Sequence, residues 1–76
     1  MLDLTTHNIR KEKNKLREYL RGKSDLSLAD ARGALEIVMA IEALEEEGKN
    51  IVAAAKRLGI TRSSLYRLLY KHGIMK

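Results

Sequence analysis

Between Ala34 and Leu44 only Glu36 and Glu42 interrupt an otherwise apolar run, more nonpolar side chains than one helix face can hold. On a helical period Leu35, Val38 and Met39 point one way while Ile37, Ile41 and Leu44 point another, so the helix needs cover on several sides. Its start is marked by Ser27 with Asp30 three residues on, an acidic variant of the capping box, with Leu26 and Ala31 spaced as a hydrophobic staple. The pattern carries this helix to about Glu47. Upstream, Ile9, Leu16, Tyr19 and Leu20 form one thin stripe on a shorter helix that Asn8 can cap and that ends near Gly22. Lys23, Ser24 and Asp25 read as a linker. Residues 1–7 show no periodicity and read as a loose arm.

From Gly48 onward the pattern changes. Small residues at Ala54 and Ala55 precede Leu58, Gly59 and Ile60, and Leu65 and Leu68 follow at helical spacing. Two short helices that cross steeply need a residue no larger than alanine where their backbones approach, and Ala55, four before the glycine, holds that position. Gly59 can take a positive φ and reverse the chain within a few residues. Leu58, Ile60, Leu65 and Leu68 are expected to close a small core between the two helices. Asn50 and Thr61 are placed as N-caps, and Gly73 as a C-terminal glycine that brings Ile74 onto Leu69. Residues 48–76 therefore read as a helix, a tight turn and a second helix.

Charge gives this hairpin a direction. Residues 1–47 carry eight lysines and arginines against ten acids, whereas residues 48–76 carry seven cations and no acid at all. A solvated helical face ordinarily mixes both signs, so a purely cationic one points to a polyanion, and a helix-turn-helix points to duplex DNA. The basic first helix is a weaker case, because Glu12 and Glu18 break its charge: a solvated helix with one packed stripe competes with membrane-surface or extra DNA contact.

The remaining composition mainly excludes. With 76 residues and no cysteine, one thin core has neither a disulfide nor a thiolate metal site to support it, which favours oligomerisation. No apolar run approaches the roughly 18 residues of a membrane span, and the N-terminus lacks a signal-peptide core, so a soluble, cytoplasmic and nucleoid-associated protein is expected. No histidine, carboxylate or nucleophile pair converges and no phosphate-binding glycine loop is present, so no enzyme, cofactor or metal is expected. Glu45, Glu46 and Glu47 sit at the wrong end of a helix dipole, where Lys49 or Arg57 is expected to compensate them. As consecutive residues they diverge too far to hold a metal.

Residues 48–74 resemble the C-terminal helix-turn-helix of the Fis (factor for inversion stimulation) family, shared by the DNA-binding domains of NtrC-type sigma-54-dependent activators. The likeness is carried by Asn50, Ala54, Ala55, Leu58, Gly59, Ile60, Arg62, Leu65, Leu69, Gly73 and Ile74. Residues 9–47 match more weakly, in the order and length of two dimerising helices. The resemblance implies an all-α, four-helix protomer: two N-terminal helices that dimerise within residues 8–47, and a DNA-binding helix-turn-helix over residues 48–76. It further implies a homodimer that lays one recognition helix from each subunit into successive major grooves. As further partners the resemblance implies RNA polymerase or the receiver and ATPase domains of a larger chain.

Site residues follow from both lines. The first turn of the last helix puts Thr61, Arg62, Ser63 and Tyr66 nearest the base edges, with Arg62 able to take guanine O6 and N7 bidentately. Thr61 is equally an N-cap, and tyrosines four apart, as Tyr66 and Tyr70 are, more often pack at the rim, Tyr70 more than Tyr66. Lys49, Asn50, Lys56, Arg57, Ser64, Arg67 and Lys71 are the expected backbone contacts; in the family pattern the positions of Asn50, Ser64 and Arg67 hold that role, while Val52 and Ala53 depart from the polar residues some relatives carry. His72 reads as a helix-end cation or a plain surface residue. The dimer interface is expected to use Leu16, Tyr19, Leu20, Leu35, Ile37, Val38, Met39, Ile41 and Leu44. The competing readings are a monomeric three-helix packing and a helical protein-interaction module whose basic face docks an acidic partner.

Overall fold

The computed structural model describes Leu4, residues 8–23 and residues 25–75. Ser24 and the rest of the expected arm at residues 1–7 lie outside the described residues. Four helices follow one another: α1 (Ile9–Leu20), α2 (Leu28–Glu46), α3 (Ile51–Leu58) and α4 (Arg62–Lys71), an all-α fold. Each begins at a capping side chain the sequence marks. Asn8, Ser27, Asn50 and Thr61 each accept, at 3.1 Å, the amide three residues on. This satisfies one of the amides that every helix start leaves unpaired.

The helix ends share one device as well. At Gly59, φ is 74°, its amide donates to Lys56 O at 3.1 Å, and the Ile60 amide reaches back to Ala55 O at 3.0 Å. These are the two bonds of a Schellman motif. Gly73 and Ile74 repeat it on α4, with bonds of 3.1 Å to Tyr70 O and 2.9 Å to Leu69 O.

α2 is the spine. α1 packs on it from one side, α3 and α4 from another, and α3 lies against α4. The core is built from Ile41 and Leu44 of α2, Ala54 and Ala55 of α3, Leu65 and Leu69 of α4, and Ile74 beyond it, none more than 3% exposed. Ala54 and Ala55 are enclosed because no larger side chain fits where α3 meets its neighbours. The deepest residues of the hairpin differ from expectation. Leu65 is fully buried, but Leu58, Ile60 and Leu68 are half-buried, while Leu69 and Ile74 take the interior. The cause is the chain reversal after α4, which folds Ile74 back against Leu69 and under α2.

The expected interface residues separate into two sets. Val38, Ile41 and Leu44 are enclosed within the protomer; Ile41 and Leu44 share a core with α3, α4 and Ile74, and Ile37 is half-buried against that core. Tyr19, Leu20, Leu35 and Met39 stay exposed and Leu16 half-exposed. Leu16, Tyr19 and Leu20 line, with Leu28, Ala31, Arg32 and Leu35, an apolar groove of about 470 Å³ between α1 and α2. α1 itself buries no residue fully. The partly buried Leu4 also packs on the core.

Candidate nucleic-acid interface

α4 turns Leu65, Leu68 and Leu69 inward, and this fixes what it shows outside. Ser63, Tyr66, Arg67 and Tyr70, spaced three and four apart, form its outer face, and Arg62 is exposed in its first turn. Tyr66 is only 37% exposed, so its ring lies partly against the helix, whereas Tyr70 at 57% stands further out. The Thr61 hydroxyl is committed. It accepts the Ser64 amide at 3.1 Å and donates to Ser64 Oγ at 2.9 Å, which commits the Thr61 hydroxyl and leaves Ser64 its own O–H to donate. Ser64, Arg67 and Lys71 share one flank with Glu36, Ile60 and Leu68 around a shallow cleft of about 260 Å³.

The cations are not equivalent. Arg57 pairs with both Glu46 and Glu47, the latter at 3.2 Å, so it supplies the compensation the acidic end of α2 requires. Lys71 approaches Glu36 at 3.5 Å. Among the described residues Lys49, Lys56, Arg62 and Arg67 make no ion pair, which leaves these four with uncompensated charge around α3 and α4. Asn50 uses Oδ1 as its cap and retains its amide NH2. Lys49 carries an unexpected backbone: its φ is 67°, left-handed in a residue with a Cβ, directly after Gly48 at 62°.

One contact had no sequence signal. His72 Nε2 lies 2.7 Å from Glu36 Oε1, across 36 residues, with the imidazole only 12% exposed. An ionised carboxylate has no proton to give, so Nε2 is the donor. This hydrogen bond, followed by the nearby Lys71 charge, holds the Glu36 carboxyl below its ordinary value of 4.5 against the opposing effect of burial. His72 is thus a tie between the end of α4 and the middle of α2, not a plain surface residue.

A bacterial regulatory family, the Fis family, has a model that matches residues 32–72, more than half of the chain. The chain belongs to the Fis family. Its members are DNA-binding regulators built on a helix-turn-helix, typically without catalysis. The match spans most of α2 and all of α3 and α4, and it stops at the His72 that ties them. No curated protein and no solved structure matches the chain. No helix of the described residues is long and apolar enough to cross a membrane.

Proposed function

We propose that this Fis-family chain is a sequence-specific regulator of transcription that acts as a homodimer on double-stranded DNA, each protomer laying α4 in a major groove. The observation that carries the reading is the exposed first turn of α4, where Arg62 and Ser63 stand clear in a segment that has cations and no acid. Arg62 reads guanine through O6 and N7, and Ser63 and Tyr66 reach the neighbouring bases. Because the Thr61 hydroxyl serves the helix cap, that residue meets the bases through its methyl group, which suits a thymine. Lys49, Lys56 and Arg67, with the Asn50 amide and Ser64, grip the phosphates on either side. Arg57 and Lys71 join them only by loosening their bonds to Glu46, Glu47 and Glu36.

The paired subunits meet through Leu16, Tyr19, Leu20, Leu35 and Met39, the apolar residues the protomer leaves open. The remaining partners are RNA polymerase or the receiver and ATPase domains of an NtrC-type activator, in the cytoplasm at the nucleoid. Two measurements test the reading. Affinity should fall with salt at a log–log slope near −7, as expected of about eight phosphate contacts per dimer. Duplexes selected from a random pool should give a twofold-symmetric consensus that loses one base preference in Arg62→Ala, at a cost of about 1–3 kcal/mol. An Arg62→Ala protein with undiminished binding and selectivity would instead favour a protein-docking role for the basic face.

A further inference from the structure

α1 carries charge that neither the core nor the recognition helix accounts for. Residues 8–23 hold seven lysines and arginines against two glutamates. Lys13 is taken by Glu42 at 2.6 Å and Lys15 by Glu12 at 3.5 Å. Arg10, Arg17 and Arg21 are exposed and make no ion pair among the described residues. With Asn14 they follow at steps of four, three and four residues, so they stand in one row along the helix and its C-cap. No acid stands in that row. Asn14 Oδ1 accepts from Arg17 Nη1 at 3.4 Å, which holds that guanidinium in line.

We propose that this row is a second, sequence-independent DNA contact, which grips phosphates of the duplex flanking the segment that α4 reads. It rests on the DNA-binding reading above and extends it to a helix outside the helix-turn-helix. From Arg10 to Arg21 the row runs about 16 Å at 1.5 Å per residue. One strand of a duplex presents about five phosphates over that length, so each of the three guanidinium forks has one to take.

The placement favours the flank. Among the described residues α1 packs on α2 and makes no contact with α4, so the row lies outside the segment under the recognition helix. Its Arg10 end nevertheless starts beside the helix-turn-helix, because Ile9 packs on the core that α3 and α4 share, and Lys13 pairs with Glu42 near the end of α2 that leads into α3. The chemistry favours phosphate over a lipid surface. Leu16, Tyr19 and Leu20, the apolar residues a membrane would need, line the α1–α2 groove instead, and the row offers charge without an apolar edge.

Two duplexes carrying the selected consensus test this, one of about 20 bp that just covers two half-sites and one of about 60 bp. The unaltered protein should bind the longer one more tightly, with a log–log salt slope steeper by about 5 for six arginines per dimer. The triple variant Arg10→Gln, Arg17→Gln, Arg21→Gln, checked for folding by circular dichroism, should lose that added slope and about tenfold or more in affinity on the long duplex, yet bind the short one within about twofold. Replacing the same three by lysine should restore the slope, since a phosphate contact of this kind needs only the charge. A glutamine variant that matches the unaltered protein on both duplexes, or weakens equally on both, would overturn the flank contact. Arg62→Ala would then still lose its base preference, so the reading of α4 would survive. Loss seen only in the capture of a second duplex on an immobilised one, or only in binding to phosphatidylserine vesicles, would overturn it in favour of bridging or of a lipid surface. An unaltered protein that binds neither duplex would overturn both readings.

Discussion

Glu36→Gln isolates the tie between α2 and α4. The glutamine has the same shape and its carbonyl can still accept from His72 Nε2, so the substitution removes the charge and little else. A hydrogen bond to a charged partner contributes about 1.5–3 kcal/mol, roughly twice a neutral one. Glu36 keeps 27% of its side chain in solvent, which puts this bond at the lower end, and the expected loss is therefore about 1 kcal/mol. In a domain of this size that lowers Tm by about 4–8 °C. The pH dependence follows from linkage. The folded-state pKa of Glu36 is depressed, so its stabilisation is fully present above the ordinary value of 4.5 and is lost as pH falls through the lower folded value. Urea or thermal unfolding of both proteins from about pH 5 downward should show the difference between them closing as pH falls. Subtracting one protein from the other removes the titration of every other carboxylate. A difference that stays flat from about pH 5 down through the acid range would refute the assignment of this bond. The variant also releases Lys71 from Glu36, so its DNA affinity at neutral pH should hold or rise while its stability drops.

Local rules made most of this fold legible. All four N-caps, the reversal at Gly59 and the Gly73–Ile74 turn depend on residues within six positions of one another, and side-chain chemistry specifies such short-range bonds. The failures are at long range. Ile41 and Leu44 look like interface residues in a helix apolar on every side, because the sequence does not say which side the helix-turn-helix will cover. The Glu36–His72 bond spans 36 residues, and only the packed structure brings those two helices together. Charge was legible as a total and at Arg57, which compensates Glu46 and Glu47 as the helix end requires, but not at Lys71, which lies against Glu36 of α2. The left-handed Lys49 carried no signal, since lysine has no preference for that conformation.

Two further substitutions examine the interface geometry. Ala55→Leu forces an isobutyl group between α3 and its neighbours at a site 3% exposed, and should cost about 1–3 kcal/mol in urea unfolding. DNA binding should fall further than the loss of folded protein explains, because α4 is displaced; proportional losses would show that Ala55 does not set the angle. Lys49→Gly should move stability and binding in opposite directions. A side chain held at φ 67° costs about 1–2 kcal/mol, and the greater freedom of glycine in the unfolded chain returns about 0.5–1 kcal/mol of that. The net effect is a slightly more stable protein, by about 0.5 kcal/mol. Its DNA complex, however, loses one phosphate contact per protomer, and the salt slope should shallow by about 2 for the dimer. Strain retained at an uncompensated cation is what a binding role for Lys49 requires, since stability alone would favour glycine there. A Lys49→Gly protein with an unchanged salt slope would remove Lys49 from the interface, and one with a lowered Tm would show that the left-handed turn is not strained.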